Sequence, residues 1–187
     1  MLEDVNNYIG KAKKYMDDAI DHLDKELAKI RTGKASPTML SGILVDYYGN
    51  PTPLNQVANV GASDAKTLTI QPWEKTMLSV IEQAIFAANI GLTPMNDGEM
   101  IRISIPPLTE DRRVEMVKRA KEKGEEGKVS LRNARHKVMD FIKKAVKDGL
   151  SEDLGKDKEA ETEDIVKDYA KKVDERVSAK EKDIMTI

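Results

Sequence analysis

The chain has 187 residues with no cysteine, 34% charged and 4% aromatic residues, and a formal net charge of −2. That size holds one ordinary domain or two small ones, and the missing cysteines exclude disulfides and thiolate metal sites and make a reducing cytoplasm the expected setting. Met1-Leu2-Glu3-Asp4 lacks the basic start and apolar run of a signal peptide, and no apolar run approaches the roughly 20 residues of a membrane span, so no membrane partner is expected.

Leu2 to Ile30 reads as a helix. Its apolar residues Leu2, Val5, Ile9, Ala12, Met16, Ile20, Leu23, Leu27 and Ile30 follow in steps of three and four. A lone helix cannot bury such a stripe and needs partners. Arg31-Thr32-Gly33-Lys34-Ala35-Ser36-Pro37 stops it. From about Ala35 to Ile105 the pattern changes. Ile43, Val45 and Tyr47 alternate as in a strand that Gly49-Asn50-Pro51 breaks, and Val57–Val60 and Thr67–Ile70 are two more short strands. Met77, Leu78, Ile81, Ala84, Ile85 and Ala88 mark one helix ended by Asn89 and Gly91. Asp97-Gly98 is a tight turn before a last strand with Ile101, Ile103 and Ile105. Trp73, after Pro72, fits either the small core or a partner surface, and full or partial burial is favoured because exposed tryptophan is uncommon.

Ile105-Pro106-Pro107-Leu108-Thr109 restores the helical pattern. A second long helix, from about Thr109 to Lys147, has the stripe Val117, Ala120, Gly124, Gly127, Leu131, Ala134, Val138, Phe141 and Ala145, with Thr109 as its N-cap. Gly124 and Gly127 suit close approach of a neighbouring helix. Gly149 and Ser151 signal a turn, and Ile165/Val166, Tyr169, Val173, Val177, Ile184 and Ile187 form a third stripe. The fold class is therefore α+β. An elongated antiparallel three-helix bundle, 1–30 plus 106–187, carries an inserted small α+β (β/α/β) domain at 31–105. The hinge linkers lie near 31–37 and 105–108, with Gly33, Pro37, Pro106 and Pro107 setting where they bend.

The small net charge conceals an asymmetry. Glu110 to Lys147 holds 13 Lys/Arg and 7 Asp/Glu, whereas Ser151 to Ile187 holds 8 and 12. On the second long helix Lys121, Lys128, Arg132 and Arg135 recur at spacings of seven, four and three, each one residue after a stripe position. Two readings fit this row. It presents a line of cations to an RNA backbone, or it pairs with the acidic third helix.

A catalytic centre is not legible. His22 and His136 sit on different helices without metal-ligand spacing, and there is no phosphate loop, Gly-x-Gly-x-x-Gly or Gly-x-Ser-x-Gly. The carboxylates lie among lysines, as solvated i,i+4 partners do. These patterns leave an RNA-binding factor and a coiled-coil adaptor with a protein-binding insert close to one another. An RNA-modifying enzyme would need a small-molecule site in residues 35 to 105, where no suitable residues are seen.

Four segments narrow the choice. Ile30-Arg31-Thr32-Gly33-Lys34-Ala35-Ser36-Pro37, Tyr47-Tyr48-Gly49-Asn50-Pro51-Thr52-Pro53-Leu54, Pro106-Pro107-Leu108-Thr109-Glu110-Asp111-Arg112-Arg113 and Val129-Ser130-Leu131-Arg132-Asn133-Ala134-Arg135 resemble, in this order, the bacterial ribosome recycling factors. The resemblance implies a near-L-shaped monomer whose bundle binds the large ribosomal subunit and its ribosomal RNA. With elongation factor G and GTP, such a factor separates post-termination ribosomes from mRNA so that the subunits are reused. It is not an enzyme and needs no cofactor, since the GTP is hydrolysed by elongation factor G. Arg132 and Arg135 match RNA-contacting arginines, Lys128 and Lys121 extend their row, and Arg31 and Arg113 match basic positions near the domain junction. His136 and Lys34 stand where arginine is common in the family, weakening one phosphate contact and removing one guanidinium fork.

Overall fold

The computed structural model describes residues 1–186 of the chain. Ile187, assigned above to the third stripe, lies outside the described residues. Two compact units emerge: Met1–Thr32 together with the chain from Glu110 onward, and Gly33–Thr109.

The first unit is built from three helices, α1 (Leu2–Ala28), α3 (Glu110–Lys147) and α4 (Glu152–Met185), which pack pairwise. Cross-helix contacts fix their directions. Tyr8 stacks on Phe141 with ring centroids 4.4 Å apart, and Glu26 faces Lys123 at 3.8 Å, so α1 and α3 run antiparallel. Asp17 meets Tyr169 and Asp24 meets Arg176, so α1 and α4 run parallel. The stripe of α1 is buried from Val5 through Leu27, as its periodicity requires, while Leu2 stays exposed and Ile30 half-buried.

Two expectations for the other helices need correction. On α3 the structure buries Met116 and Ile142, where the spacing pointed to Val117 and Phe141. A strict three-four alternation has a period of about 3.5, whereas a straight helix turns every 3.6 residues and drifts away from it. Phe141 instead lies at the rim, where it stacks on Tyr8. On α4, Gly155, Thr162, Tyr169, Val173 and Ile184 are buried, while Ile165, Val166 and Val177 are half-buried. Thr162 is tolerated there because its hydroxyl donates to the Lys158 carbonyl at 2.7 Å.

The second unit contains β1 (Leu44–Tyr47), β2 (Asn50–Pro53), β3 (Ala58–Asp64), β4 (Thr67–Pro72), α2 (Leu78–Ala88), β5 (Pro94–Asn96) and β6 (Ile101–Ser104). Strands β3-β4-β6-β5 form one antiparallel sheet in that order, and β1-β2 is a separate hairpin. Helix α2 contacts both β1 and β5, and Val45, Leu68, Ile70, Ile81, Ile85, Ile101 and Ile103 fill one apolar core. The segment expected to break the first strand in fact continues as β2. Asn50–Pro53 holds two prolines, which a two-stranded hairpin tolerates at its edges. Trp73, assigned above to burial, is 68% exposed. Alternation along β4 directs Leu68, Ile70 and Pro72 inward, which leaves position 73 outward.

The two glycines of α3 differ. A Cβ on Gly124 would lie 2.6 Å from Val177 Cγ2, whereas one on Gly127 would meet Val173 and Leu23 at 3.7–3.9 Å, ordinary contact. Gly127→Ala is expected to stabilise by about 1 kcal/mol through helix propensity, whereas at Gly124 overpacking against a stiff valine outweighs that gain by about 1–2 kcal/mol. Thermal unfolding of both variants should give shifts of opposite sign.

Tyr169 pins α4 to α1. Its hydroxyl donates to Asp17 Oδ1 at 2.6 Å, and its ring lies 4.6 Å beneath Lys172 Nζ. Burial first, then the Asp17 carboxylate, raise its pKa to about 12. The folded state therefore holds this proton while the unfolded chain releases it near pH 10. The resulting stability is fully present below pH 10 and is lost as pH rises towards 12. Denaturation at pH 8 should show wild type ahead of Tyr169→Phe by about 1–2 kcal/mol. That lead should shrink between pH 10 and 12.

Candidate nucleic-acid interface

The cationic row of α3 divides in the folded structure. Lys121, Lys128 and Arg135 recur at intervals of seven residues, which keeps them on nearly one line of the helix. That line faces α4. Lys128 Nζ lies 2.7 Å from Asp174, Arg135 Nη1 3.5 Å from Glu163, and Lys121 Nζ 3.9 Å from Glu181. The expected pairing of a basic helix with an acidic one is therefore present, and the order of the pairs along the two helices shows that α3 and α4 run antiparallel.

Arg132 belongs to a different line. It sits about 40° around the helix from Lys128, on the side away from α4. Its contacts stay within α3: Nη2 lies 3.7 Å from Glu125, and Nε donates to the Lys128 carbonyl at 3.4 Å. Lys118, His136, Lys143 and Lys147 share its azimuth to within about 60° and are exposed, with no ion pair among the described residues. Lys118, Lys143 and Lys147 lie outside the row read from the sequence, although their spacing from Arg132 is close to whole turns.

The other basic positions lie near the ends of the helices. Arg31 follows α1 and is exposed, Arg113 is half-buried in the first turn of α3, and neither has an ion pair among the described residues. The four hinge positions all fall in the second unit. Gly33 has φ +76°, and a Cβ there would sit 3.3 Å from Leu108 Cγ. Pro37 opens a short 3₁₀ turn, Pro37–Leu40, whose cap is Ser36. Pro106 and Pro107 are exposed and follow directly after Ile105. Lys34 is half-buried in the outgoing linker.

Other chemistry is sparse. Among the described residues no group of three His, Cys, Asp or Glu could hold a metal ion, and no helix is long and apolar enough to cross a membrane. His22 lines a groove between α1 and α3 with Glu26, Lys123 and Gly127, and His136 lies exposed on α3.

Comparison with known proteins decides the family. A model of the ribosome recycling factor family matches residues 23–185. The chain belongs to the ribosome recycling factor family. The ribosome-recycling factor of Porphyromonas gingivalis is 49% identical over 185 residues, 98% of this chain and 100% of its own. That of Flavobacterium johnsoniae is 48% identical over the full length of both. A solution structure of a ribosome recycling factor matches all of both chains with a TM-score of 0.81 at 31% identity. A further structure holds the T. thermophilus ribosome recycling factor and E. coli elongation factor G bound to the E. coli post-termination complex. Its match has a TM-score of 0.65 and 39% identity, covering 97% of this chain and 99% of that one. Family membership accords with the α+β class and with long helices packed together.

The pairs along the α3–α4 seam are solvent-accessible, with side-chain exposure of 31% for Lys128 and 63% for Asp174. Exposed pairs of this kind contribute little. A double-mutant cycle of Lys128→Ala and Asp174→Ala, followed by chemical denaturation, should return a coupling below about 1 kcal/mol that fades in high salt.

Proposed function

We propose that this chain is a ribosome recycling factor which, with elongation factor G and GTP, releases post-termination ribosomes from mRNA and separates their subunits for reuse. One observation carries the reading: the chain corresponds end to end with recycling factors, and one of its structural neighbours is bound with elongation factor G to the post-termination complex. The large ribosomal subunit and elongation factor G are then its partners, and the cytoplasm its place. The factor works by binding and by motion between its two units, as a monomer and without catalysis of its own. GTP is bound and hydrolysed by elongation factor G, in keeping with a sequence that has no phosphate loop.

On this reading α3 lies against large-subunit RNA. Arg132 and Arg135 grip phosphates, Lys128 and Lys121 extend the line, and Arg31 and Arg113 act near the junction of the two units. Gly33, Pro37, Pro106 and Pro107 lie in the linkers that allow the motion. The seam pairs favour this use. A cation already held in place by a weak, exposed carboxylate contact is ordered before RNA arrives and loses little when it changes partner. Arginine adds a fork that matches phosphate, and the array as a whole releases counterions. Recognition by backbone contact and shape suits a helix with so few aromatic residues.

Arg132→Ala should weaken large-subunit binding by about 1–3 kcal/mol, the scale of a lost charged hydrogen bond. It should also lower the slope of log K against log salt by about one. Its melting temperature should stay that of wild type, because the side chain is off the buried stripe. Leu131 is 1% exposed, and Leu131→Ala should do the reverse, costing about 2–5 kcal/mol of stability. Pelleting with large subunits, thermal melts and a subunit-splitting assay with elongation factor G and GTP check these outcomes. Unchanged pelleting of Arg132→Ala moves the site, and an inactive wild type overturns the function.

A further inference from the structure

One end of the second unit carries an arrangement that the recycling reading does not use. The β1–β2 hairpin is closed by the two-residue loop Tyr48-Gly49, with φ +49° and +87°. This is the type I′ loop that Asn-Gly fits best, and a bulky aromatic at its first position is strained. Burial does not compensate, since Tyr48 is 73% exposed. Its hydroxyl donates to Glu74 Oε2 at 2.9 Å, while the neighbouring Tyr47 hydroxyl donates to Glu74 Oε1 at 3.1 Å. The two rings meet edge-on with centroids 4.7 Å apart. Trp73, next to Glu74 in the chain, is also exposed. Two tyrosines thus share one carboxylate at the surface, one residue along the chain from an exposed tryptophan. A strained, exposed residue of this kind points to a contact made with something else.

Resting on the recycling reading, we infer that Tyr47, Tyr48 and Glu74, next in the chain to Trp73, form a docking corner for an arginine side chain on a basic protein that meets this factor on the post-termination ribosome. The chemistry selects this occupant. A carboxylate has roughly four acceptor positions, and the two phenols occupy one on each oxygen, which orients Glu74 and leaves acceptor capacity. A guanidinium supplies forked donors for a carboxylate and a flat cation for an aromatic face. Both phenols are donors at neutral pH, as an ordinary tyrosine is, and their hydrogen bonds to Glu74 raise their pKa further. RNA suits this corner poorly. Residues 33–109 hold four Lys/Arg against six Asp/Glu, and Asp46 lies beside the turn, accepting from the Gly49 N–H at 2.8 Å. The first unit holds 27 Lys/Arg and 27 Asp/Glu, so the positive surface of the chain is the α3 face and not a whole unit, while the second unit is acidic.

The test uses the full chain with post-termination ribosomes, elongation factor G and GTP, with p-benzoylphenylalanine in place of Trp73 as a photo-cross-linker. The expected product is a cross-link to one protein, within an arginine-containing peptide. Its yield should fall on the order of tenfold in Glu74→Gln, as for loss of a charged contact, and stay unchanged in the control Glu82→Gln. Tyr48→Asn should raise the melting temperature and lower the splitting rate, because the turn relaxes while the corner loses a face. A cross-link to RNA, a protein cross-link indifferent to Glu74→Gln, or a Tyr48→Asn variant that melts earlier would each overturn the inference. Pelleting with large subunits separates the two levels of the argument. If wild type pellets and splits ribosomes and the corner variants match it, the corner alone fails. If wild type does neither, the recycling reading fails and the corner with it.

Discussion

Two backbone hydrogen bonds set the frame in which the rest of the structure works. The Ala35 N–H donates to the Ala65 carbonyl at 2.8 Å, and the Ile105 N–H donates to the Lys66 carbonyl at 2.7 Å. The acceptors are adjacent residues in the β3–β4 turn, so the outgoing and returning chain are tied to one point. The bundle needs this. Helix α1 ends at Ala28 with a stripe it cannot bury alone, and the partners of that stripe begin at Glu110. A slack insertion of that length would carry the entropy of an open loop, whereas a folded unit with stapled ends replaces the loop by a short, defined gap. The same bonds mark where the linkers begin. Backbone outside both anchors lies between Ile30 and Lys34 and between Pro106 and Thr109. There Gly33 takes a left-handed conformation, and Leu108 occupies the space a side chain at 33 would need.

Charge follows a comparable division of labour. The seam pairs of α3 with α4 were one of two readings of the basic row, and the structure contains them. They do not exclude the other reading. An ion pair exposed to water is too weak to define the fold, yet it holds a long side chain near one geometry. The apolar stripe already fixes the packing of α3 on α4, so the pairs remain available for exchange. Lys118, Arg132, Lys143 and Lys147 have no ion pair across that seam among the described residues, although Lys143 and Lys147 line a groove with Glu152 and Glu159 of α4.

Much of the architecture was legible because periodicity over 27 to 38 residues averages out local exceptions. The errors are informative for the same reason. A period of 3.5 in place of 3.6 displaces Met116 and Ile142 by one residue each and leaves Ala120, Leu131, Ala134, Val138 and Ala145 correct. The short strands were harder to read. β5 spans Pro94–Asn96 and went unrecognised, since three residues carry no period and it opens with proline. β2 reads as a break because its prolines are turn residues by composition, and its pairing with Leu44–Tyr47 makes it a strand. Of the site, the sequence yields the residues of the row but not its split into two azimuths. That split depends on where α4 lies, which α3 alone does not encode.

The positions where this chain departs from its most stable choice are not equivalent, and their differences separate packing from function. Gly124 is a helix-interior glycine whose missing side chain lets Val177 approach, so the weaker propensity is offset within the same bundle. Nothing in the structure requires glycine at Gly127. Tyr48 is the opposite case, because little burial offsets its strain: the ring meets Tyr47 edge-on but stays mostly in solvent, and its hydrogen bond to Glu74 is exposed. Local sequence and fold agree almost everywhere else in the second unit, with Asn89 supplying the left-handed end of α2 and Asp97-Gly98 the β5–β6 turn. Against that background of consistency, a residue that strains its own turn to hold an aromatic face in water is better explained by a contact outside the chain than by the stability of the chain itself.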